Sequence, residues 1–128
     1  MNLLLDTRVL LALVRKDVPA LGRRIQTMLG DPDNKRVVSV ASLWEIAIKY
    51  RLGKLQLAPP NLDEWPALIA NLGIDILPIT ARHALATVEP EPPTRDPFDR
   101  LLLAQCKVED LRLVTIDRAL VVHPYAAR

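Results

Sequence analysis

The chain is poor in several residue types, and each shortage narrows what it can be. It has one cysteine, one phenylalanine, two histidines and four glycines in 128 residues, with aromatics at 4 %. A lone Cys106 cannot close an intramolecular disulfide, and no Cys/His cluster with zinc spacing exists. This usage is compatible with a reducing cytoplasm. Scarce aromatics leave Leu, Val, Ile and Ala to build the core. Charge of one sign is also missing: 17 basic against 15 acidic residues give a formal +2, which permits a nucleic-acid partner without arguing strongly for one. The apolar opening from Leu3 to Val14 is broken by Asp6 and Arg8 and is too short for a membrane span. No basic segment precedes it and no clear cleavage site follows, so neither a signal peptide nor a membrane partner is expected. What remains is half apolar and a quarter charged, a globular balance that suits one domain over residues 1–128.

The apolar pattern alternates between short blocks and helical spacing, as strands and helices in alternation read. Leu3-Leu4-Leu5 suits a strand buried on both faces, ending at Asp6-Thr7, either of which can cap a helix from Val9 to Arg15. A second helix is expected near Pro19, with Leu21, Ile25, Met28 and Leu29 on one face. A loop over 30–34 leads to a strand over 36–39, and Ser39 is placed to cap a helix from Val40 to about Arg51. Asn61 and Glu64 suggest a capping box for a helix that stops at Gly73. Strand three spans 74–77 and a short helix follows Thr80. Residues 89–93 are too proline-rich for a helix or central strand and read as an exposed, stiff loop. Asp96 and Pro97 open a helix running to about Glu109, and residues 112–115 form strand four. The fold class is α/β with a mostly parallel sheet; strand order is not readable from the pattern.

Four acids stand out by position. Asp6 and Asp117 directly follow strands one and four; Glu45 and Asp99 lie near helix starts. In a parallel sheet these places share one edge, where open α/β sheets bind ligands. Taken singly each acid has an ordinary explanation as a cap, a turn residue or a solvated group. Together they would repel and resist ionisation if partly buried, a conflict that a divalent cation resolves. Mg²⁺ or Mn²⁺ takes hard oxygen ligands and usually retains waters; it activates water and offsets phosphoryl charge. Carboxylates without Cys or His ligands therefore point to phosphodiester chemistry.

The segments LLLDTRVLLAL (3–13), SVASLWEIAIKYRLGKL (39–55), RDPFDRLLLAQ (95–105) and LVTIDRAL (113–120) together resemble the VapC-like PIN-domain ribonucleases, toxins of VapBC-type toxin–antitoxin pairs. The resemblance implies a three-layer α/β/α fold and a metal site formed by Asp6, Glu45, Asp99 and Asp117, with Asp6 and Asp99 as direct ligands. It implies Thr115 in support, an RNA substrate, a homodimer, and a VapB-like antitoxin that occupies the acidic groove. Arg8, Ala12 and Thr94 depart from residues common in close relatives, which touches substrate and partner choice rather than the carboxylates.

Arg95, Arg100, Lys49 and Lys54 are candidate RNA contacts, with a solvated face or an ion pair as the ordinary alternative. His83 and His123 read as structural or exposed, Cys106 as core, and Trp44 and Trp65 as packing or interface residues. Three alternatives stand beside a nuclease. A receiver-type phosphoacceptor would want paired acids after strand one and a late lysine. A haloacid-dehalogenase-type phosphatase would want an Asp where Arg8 stands. A catalytically silent PIN-fold binding protein would be expected to have lost acids.

Overall fold

A computed structural model describes residues 1–57 and 61–128. Strand β1 (Asn2–Leu5) leads into α1 (Thr7–Val14), and after a 3₁₀ turn at Val18–Leu21 comes α2 (Arg23–Gly30). Strand β2 (Lys35–Ser39) runs into α3 (Val40–Arg51); a second 3₁₀ turn, Leu62–Glu64, precedes α4 (Trp65–Asn71) and β3 (Ile74–Leu77). Two further helices, α5 (Ala81–Leu85) and α6 (Pro97–Glu109), precede β4 (Arg112–Val114). The four strands lie in the order β3-β2-β1-β4, and every pairing is parallel.

Side chains alternate across this sheet, and the alternation makes the layers. Leu3, Leu5, Val38, Ile74 and Val114 point into a cluster with Val9 and Leu10 of α1, Ile25 of α2, Ile46 of α3, and Trp65 and Ile69 of α4. Leu4, Val37 and Leu113 point the other way, against Leu102, Leu103 and Cys106 of α6 and against Val88 and Leu120. The result is a three-layer α/β/α fold, as the sequence pattern and the family resemblance together imply. Leu3, Leu4 and Leu5 are fully buried, each contributing about 1.5–3 kcal/mol of apolar burial. Cys106 is core, as expected, and burial pushes its thiol up to about 12.

Several boundaries differ from the sequence reading. The helix expected near Pro19 is two pieces, because Gly22 adopts φ 85° between the 3₁₀ turn and α2. The Asn61 side chain accepts Asp63 N–H and caps a 3₁₀ turn; the reciprocal capping box lies instead at Thr80 and His83. A histidine at the third helical position is not the Glu or Gln such a box usually has, so the pattern hides it. Gly73 does stop α4, with φ 73°, where a Cβ would also press on the Arg36 guanidinium at 3.0 Å. Strand β4 ends at Val114 rather than at Thr115.

The loop over residues 89–93 is only partly exposed: Pro92 is buried, and His123 ties the loop down. Tyr125 N–H donates to His123 Nδ1 at 3.1 Å, so Nε2 carries the proton and donates to Pro90 C=O at 2.8 Å. His83 is likewise a buried structural residue: its Nδ1 accepts from Thr80 N–H at 3.0 Å, and its Nε2 faces Glu109 at 3.2 Å. Beyond β4 the backbone returns to pair with it, Leu113 donating to Tyr125 C=O and accepting from Ala127 N–H, which covers a sheet edge that would otherwise be open.

Asp110 ends α6 in the left-handed region at φ 55°, where a side chain is disfavoured. Asp110→Gly should raise stability by about 0.5–1 kcal/mol, seen as a higher urea midpoint with unchanged slope.

Candidate active site

The sheet order places a topological switch point between β1 and β4: from β1 the chain moves outward through β2 and β3, then crosses to the other side of β1. Such a point is where carboxyl ends of parallel strands part and leave a crevice. Asp6 and Asp117 flank it. Asp6 N–H still donates to Val114 C=O at 3.1 Å, continuing the ladder one residue past β1. The Asp6 carboxylate then caps α1 by accepting Val9 N–H at 2.9 Å, so the capping role and a place in the crevice belong to the same residue.

A cleft of about 370 Å³ opens here, bordered by Asp6, Glu45, Asp99 and Asp117, together with Asp96, Thr7, Arg8, Lys49 and Lys54. All four carboxylates singled out from the sequence therefore share one cleft, although they come from four separate segments. Asp96, expected to be a cap, is one: it accepts Phe98 N–H at 2.9 Å. It also borders the cleft.

Threonines hold the acids in place. Thr115 hydrogen-bonds Asp6 while accepting Asp117 N–H at 3.0 Å, and so joins two of the carboxylate-bearing segments. Asp117 Oδ1 accepts Ala119 N–H at 2.8 Å. Thr94 donates to Asp99 at 3.3 Å and accepts Asp96 N–H at 3.1 Å. Thr7, buried at the start of α1, donates to Glu45 Oε1, and Lys49 donates to Glu45 Oε2 at 2.9 Å. Thr7 and Thr94 were not among the sequence-derived site residues. The only sequence signal for either is adjacency, Thr7 to Asp6 and Thr94 to the RDPFD segment; which way a hydroxyl points depends on how each helix starts.

Burial first, and behind it the crowding of like charges, weakens two of these acids. Burial raises the Asp6 pKa, with Asp117 adding to the rise against the pull of Thr115, Val9 N–H and Arg8. Asp99 is pushed up to about 6, first by burial and then by Asp96, with Asp117 and Glu45 also raising it against the Thr94 hydrogen bond. These acids thus sense one another through the cleft. Among the described residues no group of three or more His, Cys, Asp or Glu side chains is placed to hold a metal ion together. Mg²⁺ needs none, being held characteristically by one or two carboxylates and several waters, and the donor set of hard oxygens fits such a hydrated ion.

The basic candidates divide. Lys49 and Lys54 border the cleft. Arg100 does not: it pairs with Glu91 at 3.3 Å and reaches Ala86 C=O, bracing the proline-rich loop, while Arg95 is exposed outside the cleft lining. Trp65 is buried in the core, whereas Trp44 is 60 % exposed and stands edge-on to Phe98 at 6.2 Å. Among the described residues no helix is long and apolar enough to cross a membrane.

Fold and cleft together define an α/β/α protein with an acidic site at the switch point of a parallel sheet. The chain matches the PIN domain over residues 3–123 and belongs to that family. It is 37 % identical over 59 residues to Ribonuclease VapC16 of Mycobacterium tuberculosis (strain ATCC 25618 / H37Rv), a match covering 46 % of this chain and 40 % of that protein. Similar solved structures are VapBC2 from Rickettsia felis bound to a DNA fragment from their promoter, with TM-score 0.64, 14 % identity and coverage of 98 % of this chain and 96 % of that one. Another is VapBC-1 from nontypeable Haemophilus influenzae, with TM-score 0.61, 15 % identity and coverage of 91 % and 87 %. At such identities the likeness is one of fold. A receiver module is excluded, since receivers order their strands 2-1-3-4-5 and this sheet runs β3-β2-β1-β4.

The raised pKa values of Asp6 and Asp99 carry a sign for stability. A carboxyl whose folded pKa lies above its ordinary value stabilises the fold below about pH 4 and loses that contribution as pH rises through the folded value, here about 6 for Asp99. Cation-free protein should therefore lose stability from pH 4 toward pH 7. Asp99→Asn should flatten that decline by about 1 kcal/mol after allowance for solvent screening of a half-buried group, or roughly 3–6 °C in thermal midpoint. An equally steep decline in the variant would contradict the assignment.

Proposed function

We propose that this protein is a ribonuclease dependent on Mg²⁺ or Mn²⁺ that hydrolyses RNA phosphodiester bonds. We read it as the toxin of a VapBC-type pair, restrained by a VapB-like antitoxin seated in the acidic cleft. The observation that carries the reading is the convergence of Asp6, Glu45, Asp99 and Asp117 on one cleft, with Asp99 made weakly acidic in part by its neighbours. Membership of the PIN family and the partial identity with a named ribonuclease support it. A silent binding protein would have no need to keep Asp117 and Glu45 close enough to weaken Asp99.

Asp6 and Asp99 are the residues that would hold the cation. When bound, the cation supplies a lowered pKa for a water and positive charge against a phosphate oxygen. The chain's own part is orientation: Thr115 and Val9 N–H fix the Asp6 carboxylate, and Thr94 fixes that of Asp99. Asp117, with Oδ1 held by Ala119 N–H, keeps Oδ2 to accept a proton from the attacking water. The exposed Trp44 beside Phe98 is an apolar surface suited to a homodimer contact, and residues 1–128 are read as one PIN domain of the cytoplasm.

Purified protein freed of antitoxin should cleave RNA with Mg²⁺ or Mn²⁺ and stop on chelation. Asp6→Asn and Asp99→Asn should each lower the rate by at least about 10²-fold while keeping the circular dichroism spectrum. Undiminished cleavage by either variant would remove that acid from the site.

A further inference from the structure

Glu45 differs from the other three acids in what already occupies it. One carboxylate oxygen accepts the Thr7 hydroxyl and the other the Lys49 ammonium at 2.9 Å. The pair is an i,i+4 contact on α3 with the acid nearer the N-terminus, the favourable orientation, but its burial is lopsided. The Glu45 side chain is 11 % exposed and that of Lys49 is 49 % exposed. The acid sits behind and the ammonium stands forward, and both border the cleft. A dication brought to Glu45 would meet that ammonium, and like charges at such range repel strongly.

We propose that Glu45 is not a cation ligand but the seat of Lys49, which contacts a backbone phosphate of single-stranded RNA in the cleft that Asp6 and Asp99 also border. The assignment rests on the ribonuclease reading and sharpens it. Thr7 is then a positioning residue that anchors α3 to the end of β1 through Glu45. Holding a lysine in place lowers the ordering cost of a long, flexible side chain. Arg8 and Lys54 border the same cleft and extend the positive rim along which the strand would lie.

The test compares wild type with Lys49→Met, Lys49→Arg and Glu45→Gln. Mn²⁺ binding is followed by titration calorimetry. Binding of a labelled single-stranded oligoribonucleotide is followed by fluorescence anisotropy in Ca²⁺ across a salt series. Lys49→Met should weaken RNA binding about 3- to 10-fold and make the log K against log[salt] slope shallower by about 0.7, the loss of one phosphate contact. Lys49→Arg should retain the slope, Glu45→Gln should move toward Lys49→Met, and Mn²⁺ affinity should stay within about twofold in all three. A roughly tenfold or greater loss of Mn²⁺ affinity in Glu45→Gln alone would make Glu45 a ligand and overturn the proposal. So would an unchanged salt slope in Lys49→Met, and in that case RNA cleavage by wild type would leave the ribonuclease reading standing. Wild type that neither binds nor cleaves RNA would bring down both.

Discussion

Strand β1 is enclosed on all sides, and that enclosure governs the rest of the molecule. It has β2 on one edge and β4 on the other, with helices against both faces, so each of its three leucines is buried completely. Such a strand must end inside the protein. The residue after it, Asp6, is thereby delivered into the crevice with its backbone still paired and its carboxylate already capping the next helix. The core drives the placement of a charge that, by itself, would favour water.

Everything around Asp6 answers the cost of that placement. Threonine hydroxyls and helix N–H groups donate to the acids, compensating partly for lost hydration. They cancel neither the cost of burial nor the like charge, and the raised pKa values of Asp6 and Asp99 are what remains. A polyanion would be repelled by this cleft unless positive charge intervened. Arg8, Lys49 and Lys54 along its border supply part of it, and a hydrated dication would supply the rest. The same tension would make the cleft attractive to a cationic segment of the antitoxin proposed above.

The helices and strands were largely legible because their apolar spacing is regular. Departures came where a local signal had two readings. Asn61 and Glu64 have the spacing of a capping box, yet the chain tightens there into a 3₁₀ turn. Thr80 makes the true box with a histidine, a partner that a search for Glu or Gln overlooks. Gly22 separates two helical pieces through its positive φ, where the apolar pattern ran on uninterrupted. The proline-rich loop looked wholly exposed because composition says nothing about His123, more than thirty residues away, reaching Pro90.

From its residues alone, this chain determined which segments alternate as strand and helix, that the strands would be parallel, and that four acids would gather at their carboxyl edge. Those follow from periodicity and from the geometry of crossover connections, which are local or nearly so. Tertiary structure alone decided the strand order, the switch point between β1 and β4, and the state of each acid once there. That Thr7 reaches Glu45 and that Thr115 joins Asp6 to Asp117 are outcomes of how separate segments dock. Hydrogen bonds of that kind act over a few ångströms between residues tens of positions apart, a distance that no pattern in a linear sequence encodes.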